Sequence, residues 1–190
     1  MKKTAILLFD FFSNYELSVA LSVLAQAGKE HDIFCLEEEA VSEEGLRVKR
    51  RKPFSELDII DYDSLLLPGC MDLRDIINDN RILDFIRNFN LSTHVIACIS
   101  SSPLLLLKAG MLTDKKYIAG VVKAELLEEG LTMEQMSGMR DVTELKNEDG
   151  TVTSCFKDGN LLTAVGSDFI NFGIEFGKML NLKFEPEWYR

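Results

Sequence analysis

Short apolar runs bounded by polar or turn-forming positions recur along the chain, at residues 4–9, 31–36, 64–67, 95–99 and 160–165. Continuous runs of this length predict strands buried on both faces. Helical spacing falls between them. Leu17, Ala20, Leu21, Leu24 and Ala27 share one face, with Ser13 or Asn14 placed to cap that helix and Gly28 to end it. Residues 72–77 and 81–89 read as helical, the second with Ile82, Phe85, Ile86 and Phe89 on one side. A last helix over 168–180 carries Phe169, Phe172, Phe176 and Leu180 on its core face, where Gly173 and Gly177 permit close approach. Residues 117–122 read as a strand and 123–129 as a helical turn. Alternation around Glu44-Gly45 predicts a small hairpin within 37–51 that projects from the main sheet. Residues 141–145 and 151–156, joined through Asp149-Gly150, predict a second hairpin.

Strands that alternate with helices imply a three-layer α/β sandwich: a mostly parallel central sheet with helices on both faces, residues 1–190 forming one domain. Ligands in such folds sit at the carboxyl ends of the strands, where the strand order switches. That singles out the loops at 10–16, 68–72 and 100–102.

Charge narrows the partners. The net charge is −10, and the basic residues cluster no further than 47–52. Phosphate backbones and anionic membranes need a positive field, so neither nucleic acid nor a membrane surface is an expected partner. Lys49 to Lys52 read as a solvated strand edge. The apolar run near the N-terminus stops at Asp10, too short for a signal sequence, and nothing approaches the length of a membrane span. Cys35, Cys70, Cys98 and Cys155 are scattered, and two histidines cannot complete a metal site with them. The expectation is a cytoplasmic protein with reduced thiols, no metal and no cofactor.

The chemistry concentrates at residues 95–110. A buried strand runs into Ser100-Ser101-Ser102, then Pro103 opens an apolar helix that ends at Ala109-Gly110. A turn this sharp, from strand to helix, exposes its apex side chain beside the N–H groups that open the helix, the geometry of a nucleophile elbow. The apex is Ser100. An ordinary turn of small residues would carry the same pattern.

Taken together, the three loops resemble those of the DJ-1/PfpI (ThiJ) family of the class I glutamine amidotransferase-like superfamily. Glu16 stands twelve residues before Gly28, which Ala27 precedes. Tyr62-Asp63 leads to Leu67-Pro68-Gly69-Cys70, where the family has Leu-Pro-Gly-Gly. Cys98-Ile99-Ser100-Ser101-Ser102-Pro103 leads to Ala109-Gly110-Met111-Leu112, and residues 160–166 match the family's closing strand. The resemblance implies a flavodoxin-like fold and a homodimer. It also implies a site in which Glu16 faces the nucleophile and the N–H groups of Cys70 and Ser101, beside Gly69, form an oxyanion or anion site.

The departures fall on the chemistry. The family's nucleophilic cysteine aligns with Ser100, and its histidines align with Ser101 or near Gly120. His31 and His94 belong at the opposite, amino end of the sheet, so no Cys-His or Ser-His dyad can be assembled. Cys98 lies one pleat deeper and reads as a buried structural thiol. Cys70 invites either backbone strain, should its φ be positive, or a relocated reactive thiol. A serine hydroxyl needs an adjacent base, and Glu16 is the candidate. The expected function is therefore a degenerate elbow that binds a small carbonyl- or carboxylate-bearing metabolite. The alternative is a hydrolase, glyoxalase-like or hydratase-like enzyme that uses Ser100 or water with Glu16.

Overall fold

The computed structural model describes residues 1–189. Its centre is a six-stranded sheet of β1 (Lys3–Leu7), β2 (His31–Phe34), β5 (Tyr62–Leu67), β6 (Val95–Ile99), β9 (Cys155–Asp158) and β10 (Leu161–Ala164). The strand order is β2-β1-β5-β6-β10-β9. All pairings are parallel except that of β9 with β10 at the edge. Leu65 to Leu67 and Ile96 to Ile99 are wholly buried, as strands covered on both faces require.

The chain moves from β1 outward to β2 in one direction, then from β5 through β6 to β10 in the other. Right-handed crossovers moving in opposite directions put their helices on opposite faces. Helix α1 (Ser18–Gln26) packs with α5 (Phe169–Met179), and α2 (Asn80–Arg87) packs with α3 (Pro103–Lys108). The α1–α5 contact is close because a Cβ on Gly173 would stand 2.6 Å from Ala20 N, and one on Gly177 2.4 Å from Val23 Cγ1. The order switches between β1 and β5, and the loops that follow those strands meet there. The flavodoxin-like three-layer sandwich with a small separate hairpin is the observed fold.

Several elements differ from the sequence-based expectation. Residues 72–77 form turns rather than a helix: Asp72 bends its carboxylate onto the Arg74 N–H at 3.0 Å and onto the Arg74 side chain, which competes with helical bonding. The expected strand at 117–122 shrinks to β7 (Tyr117–Ile118), paired in parallel with β8 (Met139–Arg140). A short helix, α4 (Lys123–Glu128), lies between those two strands in sequence. The hairpin expected through Asp149-Gly150 reduces to one bridge between Lys146 and Val152. Asp141 is buried and accepts from Thr143 and Lys123 N–H groups, folding that segment into turns. The regular hairpin is the next one, β9–β10, turning at Gly159 with φ +61°. Ser13 takes the N-cap position of the first helical turn, but its hydroxyl donates to Glu43 instead of accepting from that turn.

The hairpin of β3 (Glu39–Val41) and β4 (Arg47–Lys49) forms as expected around Gly45. It does not project. Phe11 N–H donates to Val41 O at 2.7 Å, and the tip residues Glu43 and Glu44 lie on the loop after β1. Among the described residues, no helix is long and apolar enough to cross a membrane.

Candidate functional site

The turn between β6 and α3 places its three serines in three different situations. Ser102 is fully buried; its hydroxyl accepts from Ile99 N–H at 2.9 Å and lies 2.7 Å from Ile99 O. Ser101 is buried too, its hydroxyl donating to Cys70 O at 2.8 Å and accepting from Cys70 N–H at 3.0 Å. Both are absorbed in holding the turn. Ser100 is half-buried and adopts φ +62°, the left-handed region that a residue with a Cβ takes only where its surroundings enforce it. Its N–H donates to Ala164 O at 2.8 Å, and its carbonyl accepts from Gly120 N–H at 2.6 Å. β10 and the segment after β7 therefore clamp the apex from either side.

Three glycines let the backbone close around this apex. A Cβ on Gly69 would stand 2.6 Å from Ser100 Cβ, and one on Gly120 would stand 2.9 Å from Ser100 Cα. A Cβ on Gly166 would fall 2.5 Å from Glu16 Oε1, 3.0 Å from the Tyr15 hydroxyl and 3.3 Å from Ser100 Oγ. Gly166 and Tyr15 are therefore part of the site, although the sequence reading did not single them out. Gly166 had a signal, since it ends the matched closing strand; Tyr15 had none beyond standing next to Glu16.

Glu16 comes from the 3₁₀ turn that precedes α1 and is 1% exposed. Its Oε2 accepts from Gly69 N–H at 2.7 Å, and Tyr15 Oη lies 3.4 Å from Oε1. Burial pushes the carboxyl up to about 7, and the neighbouring Glu43 carboxylate adds to the rise. The Gly69 N–H and the facing Ser100 hydroxyl pull the other way. A carboxyl at that value is present in both protonation states at neutral pH, so it can give a proton or accept one.

The expected oxyanion donors are unequal. Cys70 N–H is engaged by the Ser101 hydroxyl, so a ligand oxygen would have to displace it. Ser101 N–H makes no hydrogen bond among the described residues. Cys70 has no positive φ, which removes the anticipated strain. Its thiol is buried, donates to Asp72 O at 3.2 Å and is pushed up to about 12, chiefly by burial. Such a thiol is not activated at neutral pH. Cys98 is fully buried and raised further still by burial.

His31 opens β2, and His94 immediately precedes β6, where it bonds Asn90 and Thr93. Both lie at the amino end of the sheet, away from the elbow. No group of three or more His, Cys, Asp or Glu among the described residues is arranged to hold a metal ion. Beside Ser101 a cavity of about 120 Å³ is lined by Leu73, Leu104, Val121 and Leu126 and also by the charged residues Asp72, Arg74, Glu125 and Glu129. Phe11, Tyr15 and Met71 are exposed on the surrounding loops.

A doubly wound sheet that carries a left-handed serine at a sharp strand-to-helix turn, facing a buried glutamate, defines an α/β protein with elbow geometry at the carboxyl end of its sheet. The sequence profile of the DJ-1/PfpI family matches residues 2–179, and the chain belongs to that family. It is similar to protein/nucleic acid deglycase 2 of Escherichia coli, 29% identical over 127 residues that cover 62% of this chain and 70% of the relative. A DJ-1 superfamily protein of Agrobacterium tumefaciens superposes with TM-score 0.79 at 22% identity, over 99% of this chain and 94% of that one. A two-domain protein of Anabaena variabilis, containing dj-1/thij/pfpi-like and ferritin-like domains, matches with TM-score 0.76 at 19% identity over 96% of this chain. This chain spans 49% of that protein's length.

Proposed function

We propose that this protein is a DJ-1/PfpI member with a degenerate elbow, which binds a small carbonyl- or carboxylate-bearing metabolite without cysteine-dependent catalysis. The observation that carries this reading is the pairing at the apex: Ser100 faces a buried Glu16, with neither a thiol nor an imidazole beside it. Facing the protonated form of Glu16, a neutral serine hydroxyl exchanges hydrogen bonds but attacks nothing. The small cavity beside Ser101, and the Ser101 N–H, suit a ligand of a few heavy atoms that presents one oxygen. A single domain that pairs as a homodimer, working in the cytoplasm, completes the proposal by analogy with the family.

A second reading is favoured by the Glu16 carboxyl, because about 7 is the range of a useful general base at neutral pH. In it, ionised Glu16 takes a proton from Ser100 or from water, and the Ser101 N–H meets the negative oxygen that develops. The activity in the name of the Escherichia coli relative, deglycation of protein or nucleic acid, falls under this reading and would have to proceed here without a cysteine at the apex.

The experiment measures methylglyoxal consumption and deglycation of a methylglyoxal-treated protein by wild type, Ser100→Ala and Ser100→Cys, with thermal shifts in the same ligand. The expected result is no turnover by wild type, a ligand-dependent rise in melting temperature, and loss of that rise in Ser100→Ala. Turnover by wild type that Ser100→Ala abolishes overturns the binding reading in favour of the enzyme.

A further inference from the structure

The tip of the β3–β4 hairpin makes contacts that neither its own strands nor the elbow requires. Glu43 is an exposed residue, yet its carboxylate accepts at two separate places. One oxygen takes the N–H of Met71, and the other takes the Ser13 hydroxyl at 3.0 Å. The Glu43 N–H donates to Phe12 O, also at 3.0 Å. Glu44 beside it accepts from Asn14 N–H at 3.1 Å.

Those partners belong to the two loops that hold the site. Met71 follows Gly69 and Cys70, and Ser13 precedes Glu16 on the turn into α1. The two loops also touch directly: Ser13 N–H donates to Gly69 O at 2.9 Å, Phe12 bridges Cys70, and Gly69 N–H meets Glu16. One exposed side chain therefore ties together, from outside, the loops whose spacing determines the Gly69–Glu16 hydrogen bond. We propose that Glu43 is a positioning residue of this site, a strap that holds the Glu16 turn against the Gly69 loop and keeps a negative charge beside Glu16.

The groups around Glu16 make the charge effect readable. Tyr15 from its own turn, Ser100 from the elbow, the Gly69 amide and the Gly166 backbone face it directly. Asp168, from the turn that enters α5, is engaged with Ser154 and Asn171, and Glu44 with the amides of residues 14 and 15. Burial and the Glu16 charge keep the Tyr15 hydroxyl neutral well above pH 7, so the charge acting on Glu16 from a neighbouring element is that of Glu43.

The inference rests on Glu16 as the proton-carrying group of the proposed site, but requires neither a ligand nor turnover. The test follows the Glu16 carboxyl by carbon-13 NMR titration, and the Gly69 and Met71 amides by hydrogen exchange. Wild type is compared with Glu43→Gln and with Glu39→Gln, a control on the same hairpin whose partner is Arg47. Glu43→Gln is expected to lower the Glu16 midpoint by roughly half a pH unit, because a like charge is removed. In Glu43→Ala, which removes both acceptors that bridge the loops, exchange of both amides is expected to speed on the order of tenfold. Glu43→Asp, which keeps the charge on a shorter stem, is expected to speed exchange while leaving the midpoint near that of wild type. An unchanged midpoint in Glu43→Gln overturns the proposal. So does unchanged exchange in Glu43→Ala, since charge without a strap would then suffice. Absence of ligand binding in the preceding experiment would leave all these readings intact.

Discussion

A carboxyl is buried at each end of the central sheet, Asp32 at one and Glu16 at the other, and the two are treated in opposite ways. At the amino end Asp32, 4% exposed, meets the Tyr62 hydroxyl at 2.9 Å, Lys3 at 3.2 Å and Lys52 at 3.5 Å. At the carboxyl end Glu16 meets one amide, two hydroxyls and another carboxylate. Burial raises both. The Tyr62 hydroxyl and the two ammonium groups outweigh it at Asp32, which stays below the ordinary carboxylate range, whereas nothing cationic offsets it at Glu16. Desolvation alone therefore does not raise a carboxyl in this fold; desolvation without a cation does. The amino end is built to remain charged, and the carboxyl end to change protonation near neutral pH.

The strongest way to break that contrast is the pH dependence of stability, followed by urea unfolding from pH 2 to 8. Glu16 has a folded value of about 7 against an ordinary 4.5. Its contribution is fully present below about pH 4.5 and is lost as pH rises through about 7, a change of about 3 kcal/mol. Glu16→Gln should erase that fall and be more stable than wild type at pH 8. Asp32 has the opposite sign, since its folded value is depressed. Its contribution holds above its ordinary value and fades as pH drops through the depressed one, so Asp32→Asn should flatten the acid limb instead. An unchanged fall between pH 5 and 7 in Glu16→Gln would sink the contrast.

A smaller effect sharpens the geometry of the carboxyl end. Gly166→Ala places a methyl group 2.5 Å from Glu16 Oε1, where the carboxyl is already held by Gly69. The expected cost is about 1–3 kcal/mol, together with a displaced Glu16 titration; a neutral substitution would mean that the carboxyl has room to move.

The smallest effect concerns the apex. Ser100→Gly relieves a left-handed backbone, for which a side chain costs roughly 1–2 kcal/mol, against roughly 0.5–1 kcal/mol of added chain entropy in the unfolded state. A net gain of about 0.5–1 kcal/mol is expected in thermal or urea unfolding. A loss of stability would show that the Ser100 hydroxyl holds the loop rather than strains it.

How much of this was legible follows from the range of the interactions. The apolar runs at residues 64–67 and 95–99 announced buried strands because each is apolar over its own few residues. Ser100, Pro103 and Gly110 announced the elbow because turn and cap chemistry is local. The roles of Ser101 and Ser102 were not legible: three adjacent serines are chemically equal, and only the position of the Leu67–Cys70 segment decides which hydroxyls are consumed. Cys70 could be read as reactive until its burial and its bond to Asp72 O were known. The turns at 72–77 and 141–145 were missed because acidic side chains bonded to nearby amides displaced the pattern that periodicity implied.

By itself, then, the sequence determined the strand–helix alternation, the location of the sharp turn after β6, and that Ser100 and Glu16 stand in the loops that meet at the carboxyl end of the sheet. These follow from residue type and short-range spacing, where covalent geometry leaves few alternatives. The tertiary structure decided what surrounds them. It brought Gly166 from beyond β10 against the carboxyl at residue 16, set Glu43 of the hairpin on Met71 and Ser13, closed Ser101 onto Cys70 and left the histidines at the far end of the sheet. The physical reason is that a carboxyl's proton affinity depends on the water, charges and amides within a few ångströms of it. In this fold those neighbours come from segments dozens of residues apart.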